Sequence, residues 1–298
     1  MDRGAAEWVH SHAEIDGPIE LFQAEPWAIV YRAPIRGGCL WFKVCAEHQA
    51  FEVPLTAKLS SRWACVSEVV AYEPENRWLL MADAGVRFKE LGNPPDRWLR
   101  LLPAYAELQI DEATRADEHL AGGVPDFRLF VLPRLYEAMV AADDLPVSDA
   151  ERSALVSFAP RFANLCDELR SLSIADTVQH DDLHMNNVFA KGKELRILDW
   201  GDASIGHPYF SLFETFRFLV RFNGLARDDP WFSRLQDAYL EAWGDRDREA
   251  FELALRMGAV ARAIAWFQQR EALAEPDRRA FDDGFDEMLR YAVRHCPR

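Results

Sequence analysis

The hydrophobic pattern of this chain changes its period at residues 83–85, and this change constrains the fold more than any other feature of the sequence. Before this point, short apolar runs are separated by turn-forming residues, which is typical of strands. After it, apolar residues recur every three or four positions, which is typical of amphipathic helices. We therefore predict an α+β fold with two lobes, a small β-rich lobe at residues 1–82 and a larger helical lobe at residues 83–298.

The first lobe is predicted to contain a hairpin, a short helix and two further strands. Residues 27–33 and 39–46 flank a turn-rich connector and form the hairpin. The helix is expected at residues 54–62, with Pro54 in its first turn, where the missing N–H costs little. The further strands are expected at residues 67–72 and 77–82.

The second lobe is predicted to consist of helices around a small β insert at residues 176–200. Two short runs of the insert, 187–190 and 195–199, are typical of strands. The helix before the insert places Leu155, Phe162 and Leu169 on one apolar face. The helices are predicted at residues 96–110, 127–142, 148–171, 209–222, 231–243, 250–274 and 279–295.

The charge balance excludes one class of partner. The chain has 34 Lys and Arg against 49 Asp and Glu, a formal net charge of −15 at pH 7. Binding to bare nucleic acid requires a basic face that neutralises phosphates, so we expect no nucleic-acid partner. Such acidity is common in intracellular proteins as an aid to solubility, although it also suits a cationic partner.

Cysteine usage and apolar segments predict a cytoplasmic protein that does not bind a membrane. The chain has five cysteines, an odd number without any C-x-x-C pair, which argues against a disulfide framework or a structural zinc site. Residues 1–17 lack the apolar core of a signal peptide. No uncharged apolar run approaches the roughly 18 residues that a membrane span needs.

The strongest chemical signal lies in the insert. Residues 180–187 read HDDLHMNN and match H-x-D-L-x-x-x-N, the catalytic-loop pattern of protein kinases. Asp199-Trp-Gly201 follows, like the D-F-G of the same enzymes. Phosphoryl transfer needs a group that positions the attacking hydroxyl and accepts its proton, and Asp182 is the candidate. It also needs Mg²⁺, which prefers oxygen ligands such as those of Asn187 and Asp199.

Phosphoryl transfer also predicts a lysine on an interior strand of the first lobe. In residues 39–46, CLWFKVCA, alternation puts Lys43 on the same face as Trp41. A lone lysine in so apolar a strand either contacts nucleotide phosphates or protects a sheet edge against aggregation. Its carboxylate partner should lie on the next helix or just before it, so we expect Glu52, with Glu47 as the alternative.

The rest of the nucleotide site is marked only weakly. No G-x-G-x-x-G occurs, and only Gly37-Gly38 lies in the predicted hairpin. From the order of the elements, we expect backbone at the junction of the lobes to bind the adenine edge. The residues concerned are Leu80, Met81, Ala82 and Asp83.

Two other interpretations of the insert are open. Asp and Asn in a loop often form only turns and caps. Alternatively, His180, Asp182, His184 and Asp202 suit a zinc or iron site of a metal-dependent hydrolase. Such a hydrolase would not require the asparagine and the aspartate–aromatic–glycine triplet that follow, so we favour phosphoryl transfer.

Residues 26–212 resemble the bacterial small-molecule phosphotransferases, an aminoglycoside-phosphotransferase-like family related in fold to choline, homoserine and protein kinases. The shared motifs are PW near Trp27, LWFK ending at Lys43, WLLM at 78–81, YAELQ at 105–109, the loop at 180–187, DWGDA at 199–203 and HP at 207–208. The resemblance implies a two-lobed, protein-kinase-like fold, ATP or GTP as donor, Mg²⁺ and a small hydroxylated acceptor. It implies Asp182 as catalytic base, Asn187 and Asp199 as metal ligands and Lys43 as a phosphate contact.

One position departs from this family. Its loop usually carries glycine between the histidine and the catalytic aspartate, where this chain has Asp181. An added carboxylate beside Asp182 raises the pKa of Asp182 or repels phosphate, or else it points to solvent. Together with the missing glycine loop, it keeps a second hypothesis open, that of a kinase-like nucleotide-binding or regulatory protein with impaired catalysis.

The acceptor is expected in the helical lobe, below the catalytic loop. Arg262 and Trp266 lie one turn apart on one helix face, and Trp266 offers a cation–π surface to an amine unless it is a core aromatic. His184 and Asp202 complete the predicted acceptor residues. The acidic residues 281–287 suit a cationic acceptor or form a solvated helix face. The candidate acceptors are therefore an aminoglycoside, an amino sugar or an amino alcohol.

Overall fold

A computed structural model describes residues 1–244, 248–275 and 277–295, and its N-terminal part is built on one antiparallel sheet. Helix α1 (Arg3–His12) precedes five strands in the spatial order β1-β2-β3-β5-β4. Helix α2 (Glu52–Arg62) connects β3 to β4. The strands are β1 Glu20–Glu25, β2 Ala28–Ile35, β3 Gly38–Cys45, β4 Val69–Glu73 and β5 Trp78–Ala82.

The two faces of this sheet have different surroundings. Phe42 of β3 lies in an apolar cluster that α1 covers, whereas its neighbours Trp41 and Lys43 face the opposite side. The predicted hairpin and the predicted faces of β3 are confirmed. Helix α1 was not predicted, since only Ala5 and Val9 of its ten residues are buried and the apolar pattern is too sparse.

Helix α2 begins at Glu52, two residues before the predicted start. Pro54 lies in its first turn, as expected, where no intrahelical acceptor is needed for its nitrogen. The earlier start places Glu52 on the helix itself. Its side chain is buried under β3, within reach of Lys43.

The rest of the chain is mainly helical, with short strands at the positions that matter for the site. The strands are β6 Val86–Arg87, β7 Asp126–Phe127, β8 Thr177–Gln179, β9 Val188–Lys191, β10 Glu194–Ile197 and β11 Ser204–Gly206. The helices are α3 Pro95–Glu112, α4 Ala116–Ala121, α5 Leu132–Val140, α6 Asp149–Ser171, α7 Leu212–Asn223, α8 Pro230–Ala242, α9 Arg248–Glu271 and α10 Arg279–His295. Within the described ranges, no helix is long and apolar enough to cross a membrane.

Two three-stranded sheets hold the predicted insert. Their orders are β10-β9-β6 and β7-β11-β8. The two strand-like runs of the insert are confirmed as β9 and β10. The other four strands were not predicted, because two or three residues are too few to show a period. The loop between β8 and β9 carries Asp182 and Asn187, and Asp199 follows β10.

The predicted helices are confirmed with one correction. Helix α5 begins at Leu132 and not at residue 127, because Phe127 lies in β7, which pairs in parallel with β11. Helix α6 begins as expected, with Ser148 as its N-cap. The Ser148 side chain accepts from the Glu151 N–H, and the Glu151 carboxylate accepts from the Ser148 N–H at 2.9 Å. Leu155, Phe162 and Leu169 are buried along one face, as predicted.

Candidate active site

Two connected cavities lie between the five-stranded sheet and the helical part. The first, which we call the sheet-side cavity, has a volume of about 300 Å³ and is lined by Lys43 and Met81. The second, the helix-side cavity, has a volume of about 400 Å³ and is lined by Asp182 and Arg262. Asp199 lines both cavities. The residues predicted to perform phosphoryl transfer therefore meet where the two cavities join.

Lys43 is held between two carboxylates. Its ammonium lies 2.7 Å from Oε1 of Glu52 and 2.6 Å from Oδ1 of Asp199. Burial lowers the pKa of Lys43, but the two carboxylates outweigh burial and raise it well above its ordinary value, so the ammonium is charged. Glu47, the alternative partner, lies in an exposed turn. The sheet-edge interpretation is wrong, because β3 is an interior strand between β2 and β5.

Asp182 is held by the asparagine of its own loop. Asn187 donates from Nδ2 to the Asp182 carbonyl at 2.9 Å and to the Asp182 carboxylate at 2.8 Å. The ring of His184 lies 3.3 Å from the same carboxylate oxygen. Burial raises the pKa of Asp182, but the charges of His184 and Arg262 outweigh it and hold that pKa well below its usual range. Asp182 is therefore ionised at neutral pH.

Arg262 of α9 bridges two carboxylates. Its Nη2 donates to Asp182 Oδ1 at 2.6 Å, and its Nη1 lies 2.8 Å from Asp202 Oδ2. Gln269, two turns further along the helix, donates to Asp202 at 2.5 Å. The guanidinium lies 5.4 Å from the centre of the Trp266 ring. The four residues predicted to contact the acceptor, His184, Asp202, Arg262 and Trp266, all line the helix-side cavity, but Arg262 is 4% exposed and its contacts are with the protein.

The side chain of Asp181 contacts β11 and not the neighbouring Asp182. Its backbone is left-handed, with φ of 59°, and its buried carboxylate accepts from the Ser204 hydroxyl at 2.5 Å. Burial raises the pKa of Asp181 to about 7. The side chain does not point to solvent, and the pKa of the neighbouring Asp182 is lowered on balance and not raised. Repulsion of phosphate by Asp181 stays a prediction.

Two residues of the YAELQ motif hold the loop between β8 and β9 in place. The Tyr105 hydroxyl accepts from the His180 N–H at 2.9 Å and contacts the Ser211 hydroxyl at 2.7 Å. Gln109 donates to the Val178 carbonyl at 3.2 Å and so holds β8, the strand before the loop. The sequence does not reveal this role of the motif, because the contacts of Tyr105 and Gln109 are with residues about 70 or more positions away.

The comparisons with known proteins bear on this geometry. The sequence profile of the phosphotransferase enzyme family matches residues 61–253. The chain belongs to this family. A search of curated proteins finds no significant match.

Solved structures of low sequence identity share the fold of this family member. One is the GDP complex of an aminoglycoside 2'-phosphotransferase-IIIa, with TM-score 0.67 and 15% identity over 99% of this chain and 98% of that one. Another is a choline/ethanolamine kinase family protein from Mesorhizobium loti, with TM-score 0.61 and 17% identity over 98% and 97% of the two chains. A macrolide 2'-phosphotransferase type I has TM-score 0.61 and 14% identity over 96% and 98%. The predicted kinase-like α+β fold is thus confirmed.

Two residues of this phosphotransferase-family chain fit Mg²⁺. Asn187 uses its amide nitrogen on Asp182, which leaves its carbonyl oxygen for a cation. Asp199 contacts Lys43 through one oxygen, and its side chain is 45% exposed in the cleft. Mg²⁺ is commonly bound by one or two such oxygen ligands together with substrate phosphates. Within residues 1–244, 248–275 and 277–295, no group of three His, Cys, Asp or Glu is placed to hold a metal, so the hydrolase interpretation finds no site.

The predicted adenine-binding segment lies beside the sheet-side cavity. Met81 lines the cavity, whereas the Leu80 side chain is buried in the apolar cluster on the other face. The Ala82 N–H donates to the Glu68 carbonyl at 2.9 Å, so the sheet already uses it. Asp83 accepts from the Trp41 ring nitrogen at 3.4 Å. Ala84 and Gly85, which directly follow the predicted segment, also line the cavity, and the sequence did not indicate them.

The cavities are bordered by the turn between β1 and β2, and not by the turn between β2 and β3 that carries the paired glycines. Gly37 and Gly38 close the hairpin of β2 and β3 at the end remote from Lys43, which pairs with Val30. Trp27, in the turn between β1 and β2, lines both cavities together with Gln23 of β1. In this family member, an aromatic and an amide side chain therefore line the site where a glycine-rich loop was sought.

Proposed function

We propose that this phosphotransferase-family chain transfers the γ-phosphate of ATP or GTP to a hydroxyl group of a small molecule. The observation that carries the proposal is the convergence of a charged Lys43, an exposed Asp199 carboxylate and an ionised Asp182 at the junction of two cavities. Phosphoryl transfer depends on positioning and on charge neutralisation, and these are the groups it needs. On this view the sheet-side cavity takes the nucleotide and the helix-side cavity takes the acceptor.

The base of the nucleotide has an apolar slot in the sheet-side cavity. Trp41 and Phe22 contact each other edge to face at 4.8 Å, and both line the cavity with Met81 and Phe189. Aromatic faces favour a planar base. We assign the base to this slot, with the backbone near Leu80, Met81, Ala82 and Asp83 at its edge. Lys43 then lies at the end of the cavity where the phosphates would enter the junction.

The transfer step follows from the charges. The acceptor hydroxyl donates a hydrogen bond to the Asp182 carboxylate, and its oxygen forms a bond to the γ-phosphorus. The bond from that phosphorus to the bridging oxygen breaks, and the nucleoside diphosphate leaves with the electron pair. The hydroxyl proton passes to Asp182 late in the step and then to solvent. Because the pKa of Asp182 is low, its main contribution is to orient the hydroxyl, which suits a loose transition state.

Asn187 and Asp199 are the residues that would hold Mg²⁺. When bound, the ion neutralises charge on the donor phosphates. The chain's own residues prepare this position. Asn187 is fixed by its two hydrogen bonds to Asp182, and Asp199 is fixed by Lys43. Lys43 is itself oriented by Glu52, whose carboxylate is buried beside it.

The solved structures of the same fold support the acceptor classes that the sequence suggests. Proteins of the same fold include choline kinase LicA from Streptococcus pneumoniae and the aminoglycoside and macrolide phosphotransferases. An aminoglycoside, amino sugar or amino alcohol is the acceptor class that this likeness proposes. The division of the lobes at residues 82 and 83 and the cytoplasmic location also stay predictions.

A release assay for nucleoside diphosphate tests the proposed function. Purified chain with Mg²⁺ and ATP or GTP is screened against hydroxylated acceptors, beside Asp182→Ala and the control Asp237→Asn, which changes an exposed aspartate of α8. We expect turnover in the wild type and the control, and nucleotide binding without turnover in Asp182→Ala. Nucleotide binding without turnover on any acceptor would favour the impaired, regulatory alternative. Absence of nucleotide binding, measured by thermal shift, would overturn both.

A further inference from the structure

The acidic residues of the helix-side cavity are already paired with cations of the chain. Glu214 accepts from Arg217 at 2.7 Å, and Glu287 lies 2.5 Å from Arg221. Arg262 pairs with Asp182 and Asp202. Lys43 pairs with Asp199, which also lines the sheet-side cavity. Each carboxylate that the structure describes in the lining of this cavity therefore already has a cationic partner within the chain.

The aromatic surfaces of the same cavity are occupied in the same way. The Arg262 guanidinium lies 5.4 Å from the Trp266 ring, and the Arg217 guanidinium lies 5.0 Å from the Phe218 ring. His184 stacks on Phe218 with ring centres 4.0 Å apart. A quaternary or primary ammonium would have to displace these groups before it could use either ring. The predicted cation–π role of Trp266 is therefore filled by the protein.

Two cations of the cavity differ from the others. Arg87 of β6 and Lys89, two residues later, both line the helix-side cavity. Neither forms an ion pair with any carboxylate in the described ranges. Arg87 is positioned over the Phe189 ring at 5.5 Å. The Lys89 N–H donates to the Met185 carbonyl at 3.0 Å, which anchors its backbone to the catalytic loop. Two positive charges thus border the cavity without a carboxylate partner among the described residues, the exposed Lys89 with its backbone anchored and the half-buried Arg87 against an aromatic ring.

We propose that the acceptor carries an acidic group, a carboxylate or a phosphate, which Arg87 and Lys89 bind while its hydroxyl faces Asp182. This inference rests on the proposed transfer of phosphate to a hydroxyl group, and it replaces the cationic acceptor class proposed above with an acidic one. The donor phosphates are the other possible source of such an anion, because Arg87 also lines the sheet-side cavity. Lys89 lines only the helix-side cavity, and this favours the acceptor.

The test separates the two sources by first filling the donor site. The full chain is saturated with the Mg²⁺ complex of a non-hydrolysable ATP or GTP analogue, and calorimetric titrations with inorganic phosphate and with choline follow. We compare the wild type with Arg87→Ala/Lys89→Ala and with the control Lys193→Ala/Arg234→Ala, which removes two exposed cations that line neither cavity. We expect phosphate to bind the wild type and the control, at least tenfold weaker binding in Arg87→Ala/Lys89→Ala, and no detectable binding of choline.

Several results would overturn the inference. Phosphate binding that the double substitution leaves unchanged would do so, as would choline binding that is tighter than phosphate binding. A tenfold loss of affinity for the nucleotide analogue itself would assign the two cations to the donor. All of these outcomes leave the proposed function intact, since nucleotide binding and its dependence on Mg²⁺ are measured separately. Loss of nucleotide binding in the wild type would instead remove the proposed function.

Discussion

Arg262 approaches the carboxylate of Asp182 to 2.6 Å although 80 residues separate the two in the chain. The same guanidinium lies 2.8 Å from Asp202, so it fixes the direction of the Asp182 carboxylate as well as its charge. We expect Arg262→Ala to lower kcat about 100-fold, because a misplaced catalytic group loses about that much. Removing the positive charge also raises the pKa of Asp182, so the acidic limb of the pH–rate profile should move to higher pH.

The matched control for Arg262 is Arg270, a buried arginine on the same helix that pairs with Asp144 outside the site. We expect Arg270→Ala to leave the pH–rate profile in place. Arg262→Lys should restore the position of the acidic limb in part, since it keeps the charge but not the two-pronged geometry. An unshifted profile in Arg262→Ala would show that the contact is only structural.

For the buried pair of Lys43 and Glu52, we predict that the effects of two substitutions on the free energy of unfolding are not additive. Lys43→Met alone leaves the buried Glu52 carboxylate without its cation, and Glu52→Gln alone leaves Lys43 with Asp199 but without its buried partner. The two substitutions together remove the need for this buried pairing. In urea unfolding, the destabilisation of the double variant should be smaller than the sum of the single effects by about 1–3 kcal/mol. The exposed pair of Lys58 and Glu118 is the control and should couple by less than about 1 kcal/mol. Equal coupling in both pairs would contradict this.

Asp181 predicts a pH-dependent contribution to stability. Its pKa is about 7 in the folded chain and about 3.9 in the unfolded chain, so between these values the folded state holds the extra proton. The wild type therefore loses stability relative to Asp181→Asn as pH rises from about 4 to 7, by up to about 4 kcal/mol. Asparagine also tolerates the left-handed backbone at this position.

Unfolding of both proteins across this pH range measures the effect. The difference in the free energy of unfolding should change between pH 4 and 7 and level off above it. Asp237→Asn, at an exposed position, is the control for loss of an ordinary aspartate. A difference that stays constant with pH would show that Asp181 is ionised in the folded protein.

Adding a single methyl group at Gly284 is predicted to perturb the helix-side cavity, which this glycine lines. A Cβ at this position would lie 2.6 Å from two carbon atoms of the Trp266 ring, too close for any side chain. Gly284→Ala should therefore push α10 away from α9 and destabilise the protein by about 1–3 kcal/mol, despite the better helix propensity of alanine. Gly38→Ala, where a Cβ meets open space, is the control. We expect nucleotide affinity to persist in both variants; an undiminished stability of Gly284→Ala would contradict the packing.

The sequence predicted the parts of the site that lie in short motifs or follow strand alternation. The match to the kinase loop pattern and to the aspartate–aromatic–glycine triplet indicated Asp182, Asn187 and Asp199. The apolar context of β3, together with that match, indicated Lys43. The bridge from Arg262 to Asp182 was not predicted, because it joins a late helix to a loop far away in the chain. The direction of Asp181 depends on a left-handed backbone that no local pattern reveals. Arg87 was missed because its importance lies in lacking a carboxylate partner among the described residues, a property of the folded arrangement.

Helix α1, which covers the apolar face of the five-stranded sheet, has a consequence for how this protein can be shortened. The family profile begins only at residue 61, and a fragment cut there would lack α1 together with the strand that carries Lys43. It would also expose Trp78 of β5, because the ring of Trp8 that packs against it, with ring centres 5.5 Å apart, belongs to α1. The minimal unit that can be expressed and assayed is thus set by the sheet and its helical cover, and it is longer than the recognisable motif region.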